Sequence, residues 1–501
     1  MIRELVRARG ARQTLRAVQA GLFCVACVLP DPAGAEPRLE IHGKAWAEAG
    51  RLMNVTDTLT LGVDGNRMQG MGAQFTALAA FNEHLEAAIG FGGVQVYHSL
   101  GDEKTELNAL GVFRNYITEA RLTWFHGDRA APSLSLTVGQ FRYTYNRDVR
   151  NLGLYLLRGP VYPGFLQSGF GNVHTDESHG NLVGAWAHHA MGGFEHDLIL
   201  SQEREVPPSL DWSLAYIAKY KVGAFEVGGG VNFYHLIPNV DGVTNLRRDN
   251  FPSLYQNDSV VMADSSYHPY DLRYIEVTPS GDTVFYTHQG IKVMARFAVD
   301  LQKLGFKDLW PRLGPGDLKL YGEAAIIGVK DYGSVYDDIR ERIPVMVGFN
   351  LPTFGLLDVL SAEVEWYGAR YRADYSKLGL FNSLNNRGVI PTIPNNQPPL
   401  PSPIPTSYGD YGIDENGNLP DGTNVKGTPF DVQNLTADDW KWSLYAEKTV
   451  AGHVRFTAQV ASDHFVPRPV RSVGIAEEGG LAEAFATARD WYFMLRVGYI
   501  F

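Results

Sequence analysis

The feature that most narrows the fold is a pattern repeated along most of the chain: ten to sixteen residues of alternating apolar and polar character, then a turn. In the first such segment Leu39, Ile41, Gly43, Ala45 and Ala47 form one face, and Glu40, His42, Lys44, Trp46 and Glu48 the other. Period two means strand, because successive side chains point to opposite faces. The last segment repeats it most cleanly. Trp491, Phe493, Leu495, Val497, Tyr499 and Phe501 share one face, and Tyr492, Met494, Arg496 and Gly498 the other.

The segments predict sixteen strands, at about 39–53, 71–81, 85–98, 113–126, 133–145, 179–188, 194–203, 210–221, 224–236, 283–302, 317–329, 343–352, 357–370, 438–449, 453–464 and 490–501; fourteen to eighteen are allowed. Alternation is poorest in 179–188 and 194–203. Their connections alternate in length. Asn82–His84, Gly127–Pro132, His189–Gly193, Val222–Gly223, Thr353–Leu356 and Val450–Gly452 are short. Val55–Gly70, Ser99–Val112, Asn146–Ser178, Ile237–Asp282, Asp331–Arg342, Tyr371–Ala437 and Phe465–Arg489 are long, and Lys303–Gly316 breaks the rule. An even strand count brings both ends of an antiparallel ring to one side.

One face of these strands suits lipid. Phe285, Ile291, Val293, Ala295, Phe297 and Val299 form one such face; Leu318, Leu320, Ala324 and Ile326 another; Val454, Phe456, Ala458 and Val460 a third. The opposite faces carry Lys292, Arg296 and Asp300, Lys319 and Glu323, Glu363 and Glu365, Arg455 and Asp463. A soluble sandwich would alternate in the same way, with its apolar face inward. Strand length, loop-length alternation and the aromatic last segment favour a barrel. Trp124, Tyr143, Tyr145, Trp212, Trp440, Trp442, Trp491 and Tyr499 lie near strand ends, as interfacial girdles do. After the N-terminal segment no stretch has eighteen consecutive apolar residues, so a helical membrane protein is excluded. Hydrocarbon admits only helices and closed barrels.

The N-terminal segment reads as a cleaved signal peptide, residues 1–35. Met1–Arg16 carries five Arg, Ala17–Leu29 is apolar, and Ala33-Gly34-Ala35 offers a small-residue cleavage site. A retained anchor and a lipoprotein at Cys27 are the alternatives. The chain's two cysteines, Cys24 and Cys27, fall there, so disulfide scaffolds and cysteine zinc sites are excluded from the remainder. A formal net charge of −11 argues against nucleic-acid binding.

With its terminal segment WYFMLRVGYIF, the chain resembles the outer-membrane β-barrels of Gram-negative bacteria, within them the porin-like proteins, over Glu36–Phe501. The resemblance implies an all-β, transmembrane, antiparallel up-and-down barrel with short periplasmic turns and long extracellular loops. It implies an assembly signal at Phe501 and Tyr499, read by the barrel-assembly machinery. It also implies a setting of outer-membrane lipid and lipopolysaccharide, with small solutes as partners; a homotrimer is left open. In porins the third loop folds into the pore and narrows it, which suggests the same for 146–178. That segment holds Leu152, Leu154, Tyr155, Leu156, Leu157, Val161, Tyr162 and Phe165, too apolar for a free external loop.

The constriction candidates are Arg147, Arg150 and Arg158 on this loop and Glu119, Arg121, Lys292, Arg296, Glu363 and Glu365 on the wall. The loop arginines either face the channel as an anion-attracting strip or pair with wall carboxylates such as Glu86 or Glu119. Lys44, Arg142, Lys219, Lys319, Lys441 and Arg455, with Glu48, Glu86, Glu323 and Glu447, complete a wall of mixed sign that fixes no selectivity. No cofactor is expected. Asp414, Asn416, Asn418 and Asp421 have calcium-like spacing, but no Glu closes an EF-hand, and Asn416-Gly417 reads better as a turn. His174, Asp176, Glu177 and His179 could hold a divalent ion but read better as a solvated loop end. His188, His189 and His196 read as interfacial. The Pro-rich run Val389–Ser407 belongs in the long external loop 371–437. Ser265, Ser266, His268 and Asp271 read as ordinary loop residues, and no enzyme motif is present. The expected function is a diffusion channel for small hydrophilic solutes or ions. The alternative is a structural or adhesive barrel with an occluded lumen and polymer-binding loops; a hydrolase comes third.

Overall fold

The computed structural model of the chain describes residues 38–54, 67–98, 112–157, 180–202, 212–237, 274–277, 283–286, 290–305, 312–329, 339–367, 440–463 and 488–501. The signal-peptide reading, Arg158, the loop 371–437, the calcium-like spacing, the His174 cluster and the Ser265 group lie outside these residues.

The strands are β1 (Arg38–Asn54), β2 (Arg67–Ala80), β3 (Leu85–His98), β4 (Val112–His126), β5 (Leu134–Tyr143), β6 (Gly180–Met191), β7 (Phe194–Gln202), β8 (Trp212–Val222) and β9 (Phe225–Ile237). After a short pair, β10 (Tyr274–Val277) and β11 (Thr283–Tyr286), come β12 (Gly290–Asp300), β13 (Lys319–Ile326), β14 (Pro344–Asn350), β15 (Val359–Tyr367), β16 (Trp440–Val450), β17 (Val454–Ser462) and β18 (Trp491–Ile500). All but β10 and β11 close into one antiparallel barrel of sixteen strands. Neighbours in the chain are neighbours in the ring, with β9 meeting β12 and β1 meeting β18. The expected up-and-down barrel and its strand number hold.

One strand differs from expectation. Residues 283–286 are not the start of a long tenth strand: they pair with 274–277 as a separate hairpin, and the barrel strand begins at Gly290. Leu318, expected outward, precedes β13 with φ 57° and is buried. The left-handed backbone turns its side chain out of the strand's alternation.

The seam of the ring runs from Lys44↔Ile500 to Asn54↔Trp491. It extends one residue further, because Gly43 and Phe501 each donate an N–H to the other's carbonyl, both at 2.9 Å. The Phe501 ring lies over Gly43, where a Cβ would come within 2.2 Å of it. Tyr499 stacks on Phe501 and on His453.

Period two separates the two faces physically. Ile41, Phe75, Ile89, Val227, Leu444, Leu495 and Val497 are exposed on the outside of the ring. Arg496, Met494 and Tyr492, which alternate with the last two, are buried inside. Tyr143 and Tyr145, read above as girdle residues, also point inward. No helix among the described residues is long and apolar enough to cross a membrane, which says nothing about crossing by strands.

At the short-turn rim the connections brace one another. Gln302 Nε2 donates to the carbonyls of Gly314 and Asp317, each at 2.7 Å, tying together the described ends of the one longer connection. The Asp317 carboxylate accepts from the Thr353 N–H and hydroxyl, both at 3.0 Å. Asp358 accepts the Thr449 N–H at 2.6 Å and the Lys448 ammonium at 3.1 Å. The Thr449 N–H, helped by Lys448, holds the Asp358 carboxyl below the usual aspartate range. A carboxylate whose pKa falls on folding stabilises fully above its unfolded value, about 3.9, and ceases to do so as pH falls through the lower folded value. Asp358→Asn is therefore expected to melt slightly below wild type at pH 7, measured by heat-modifiable migration on gels. The gap is expected to narrow as pH falls below about 3.9 and to close only once pH is under the lower folded value. The Asp358 side chain is partly exposed and screened by solvent, so the gap is small.

Candidate functional site: an inward segment across the barrel

The chain leaves β5 at Tyr143 and returns to its hydrogen-bonding partner Gly180 at the start of β6. Between them, residues 144–157 enter the ring. Leu152, Leu154, Tyr155 and Leu156 are buried in one apolar cluster with Phe141 of β5, Ile199 of β7, Ala215 and Ile217 of β8, Met294 and Ala298 of β12, Tyr321 and Ala325 of β13 and Met346 of β14. The segment thus lies against one arc of the wall, from β5 round to β15, eight strands away and opposite it in the ring. Gly153 makes the fit: its φ is +89°, and a Cβ there would come within 2.6 Å of the Met346 side chain.

Polar groups of the same arc hold the segment's backbone. Glu363 accepts the N–H groups of Arg150 at 2.6 Å, Asn151 at 2.8 Å and Leu152 at 2.9 Å, and the Tyr321 hydroxyl at 2.9 Å. Glu323 accepts the Tyr155 N–H at 2.8 Å and the Tyr145 hydroxyl at 2.5 Å. Glu365 accepts the Tyr155 hydroxyl at 2.9 Å. On the cationic side, Lys292 donates to the Tyr155 carbonyl at 3.4 Å and Arg296 to the Tyr145 carbonyl at 2.8 Å. Lys319 meets Asp148 at 2.6 Å, and beyond this arc the Asn151 side chain donates at 2.8 Å to Asp463, just after β17. Burial of so many charged groups is tolerable only because each has donors or acceptors to meet.

These contacts sort the predicted residues. Lys292, Arg296, Glu363 and Glu365 come together beneath the segment and form its mount. Arg147 is exposed and makes no ion pair among the described residues. Arg150 lies over the Tyr445 ring at 5.8 Å. Neither loop arginine pairs with Glu86 or Glu119. Those carboxylates belong to a separate network on the opposite arc, where Arg121 bridges Glu86 at 2.9 Å and Glu119 at 3.0 Å. Arg129 also meets Glu86, and Thr76 donates to Glu119 at 2.9 Å. Further round, Arg496 pairs with Glu48 at 2.6 Å.

This second arc, β16 to β18 and β1 to β4, is kept low. Trp46 lies flat over Gly72 and Glu48 over Gly70, so close that a Cβ on either glycine would overlap them. On the first arc Lys219 of β8 pairs with Glu195 of β7, and Arg142 of β5 reaches across to donate to Gln74 of β2. Lys44 sits 5.6 Å from the Trp46 ring centroid, and Arg455 lies 3.7 Å from Glu447. Lys441 is buried.

Sequence reasoning did not single out Asp197 as a site. Its carboxylate accepts from Tyr143 and Trp186, each at 2.8 Å, and lies 2.8 Å from His188 Nδ1. His188 is therefore inward, not interfacial. His189 and His196 stack on each other across the β6–β7 pair, and His196 bonds to the hydroxyl of Tyr216, which is exposed outside.

No family model and no curated protein matches the chain. Among solved structures, an engineered mutant of the Rh. blastica porin aligns with a TM-score of 0.40 and 8% identity, covering 93% of this chain and 100% of that one. Salmonella typhi OmpF, solved in complex with daunomycin, aligns with a TM-score of 0.40 and 10% identity, covering 92% and 97%. From its own strand pairing, the described chain is a closed antiparallel barrel of sixteen strands.

Proposed function

We propose that the protein is an outer-membrane, porin-like channel for passive diffusion of small hydrophilic solutes or ions, and not an enzyme. The observation that carries this is the inward segment. It is fixed mainly to one arc, meeting the facing arc through Arg150 over Tyr445 and Asn151 at Asp463, while that arc keeps side chains flat over glycine and several of its charges paired. On this reading the lumen beside the facing arc is a one-sided aqueous passage. An apolar exterior and a charged interior are what a barrel of this strand number needs to hold water within lipid. The short turns then face the periplasm and the long loops the exterior.

Selectivity in this reading rests on the segment's arginines. A guanidinium already paired with a carboxylate presents little net field to a passing ion, whereas Arg147 and Arg150 have no such partner among the described residues. Replacing Arg147, Arg150 and Arg158 by Ser is expected to shift the reversal potential in a salt gradient toward cation preference. Single-channel recording in a planar bilayer tests both points. Absence of discrete conductance from folded wild-type barrels would favour the occluded, adhesive reading. An unmoved reversal potential would remove the arginines from the filter.

A further inference from the structure

We infer that residues 150–152 form a backbone anion site, and that Glu363 fills it and so acts as the positioning residue of the constriction. The inference deepens the channel reading and rests on it only for the conductance readout.

Three consecutive N–H groups converge on the one carboxylate, at 2.6, 2.8 and 2.9 Å. Successive N–H groups turned to one side make a concavity that selects anions. The backbone just beyond makes that turn possible, since Gly153 (φ +89°) and Leu154 (φ 59°) are both left-handed. Glu323 and Glu365 do not share this geometry, since Glu323 takes one segment N–H and Glu365 a hydroxyl.

Glu363 is well placed to fix the segment. It sits within β15, paired to Gly348 on one side and Ser443 on the other, and its side chain is buried. The donors it satisfies belong to the backbone, so they remain when Glu363 is removed, and each still requires an acceptor. A small monocarboxylate such as formate or acetate has the charge, the two oxygens and the size to replace the lost side chain.

The test uses the full-length barrel, folded in lipid vesicles, with C24S and C27S removing the native thiols and L152C as reporter. Leu152 has no exposed surface, so a membrane-impermeant maleimide is expected to label L152C slowly. Adding Glu363→Ala should raise the rate about tenfold or more, because the segment opens locally. Replacing chloride with formate or acetate at constant ionic strength should restore slow labelling, and a bulky sulfonate should not. A labelling rate unchanged by Glu363→Ala overturns the positioning role. A raised rate that is equal in chloride, formate and acetate overturns the anion site. Should L152C itself loosen the segment, cysteine-free Glu363→Ala supplies the second measurement. Its conductance should exceed wild type in chloride and fall toward wild type in formate, after correction for bulk conductivity; no such fall overturns the proposal. Labelling that responds as expected in barrels that never conduct would uphold this inference and remove the channel reading.

Discussion

Deleting Phe501 is expected to remove most of the folded barrel from the membrane. The loss is local in the chain but falls on the seam. It takes away both 2.9 Å main-chain bonds to Gly43 and the ring that covers that glycine. Each bond is worth about 0.5–1.5 kcal/mol net in water and more where lipid offers no substitute. Tyr499 also loses its stacking partner. Phe501→Asp should be nearly as damaging, since it keeps the main chain but puts a charge among apolar neighbours. Gly43→Val probes the same contact from the other side, because its Cβ would enter the space of the Phe501 ring. The fraction of heat-modifiable protein on unboiled gels, with surface exposure on cells, measures all three. Unchanged values for the deletion would show that β1 and β18 close without their last pair.

Replacing residues 146–178 by a short glycine–serine turn is expected to leave the ring standing and to widen the passage. The ends of the segment are already paired as Tyr143↔Gly180, so a tight hairpin can join them. Removing the segment uncovers Lys292, Arg296, Glu323, Glu363 and Glu365, which water can then solvate. Conductance should rise about two- to threefold, with weaker selectivity, because the half of the lumen now filled becomes aqueous. The melting transition on gels should drop only modestly. A folded variant with wild-type conductance would mean that the segment is not the narrowest point.

Much of the ring was legible because the outside and the inside of a closed barrel impose opposite demands on alternate residues, and every barrel strand but β12, whose start lies seven residues later than expected, was found within a few positions. Where alternation faltered, the cause is visible. In β6 and β7 the inward face carries Trp186 and Ile199, because the inward segment packs there and makes part of the lumen a dry core. Strand β11 was merged with β12 because its residues are strand-forming and nothing local marks the break before Gly290, while β10 falls inside the expected connection 237–282. The candidate site was legible as a residue set and not as an arrangement. Glu363 lies more than two hundred positions from the N–H groups it holds, and only closure of the ring brings β15 opposite β5. Pairing of Arg121 with Glu86 follows from register between β3 and β4, which shifts between Gly90 and Phe91, whereas Arg121 and Glu119 are simply two apart on β4.

The Tyr143↔Gly180 pairing also bears on how such a molecule can change over generations. Because the two ends of the inward segment are already neighbours in the sheet, the segment is an insert that the wall does not need in order to close. Substitutions, lengthening or loss within it are then sampled without forfeiting the container. The mount on β12, β13 and β15 offers a few fixed acceptors and donors that any replacement can use. On the channel reading, wall and filter are encoded in separate stretches of the chain, so bore and filter can drift to suit a new medium while the shell is held constant.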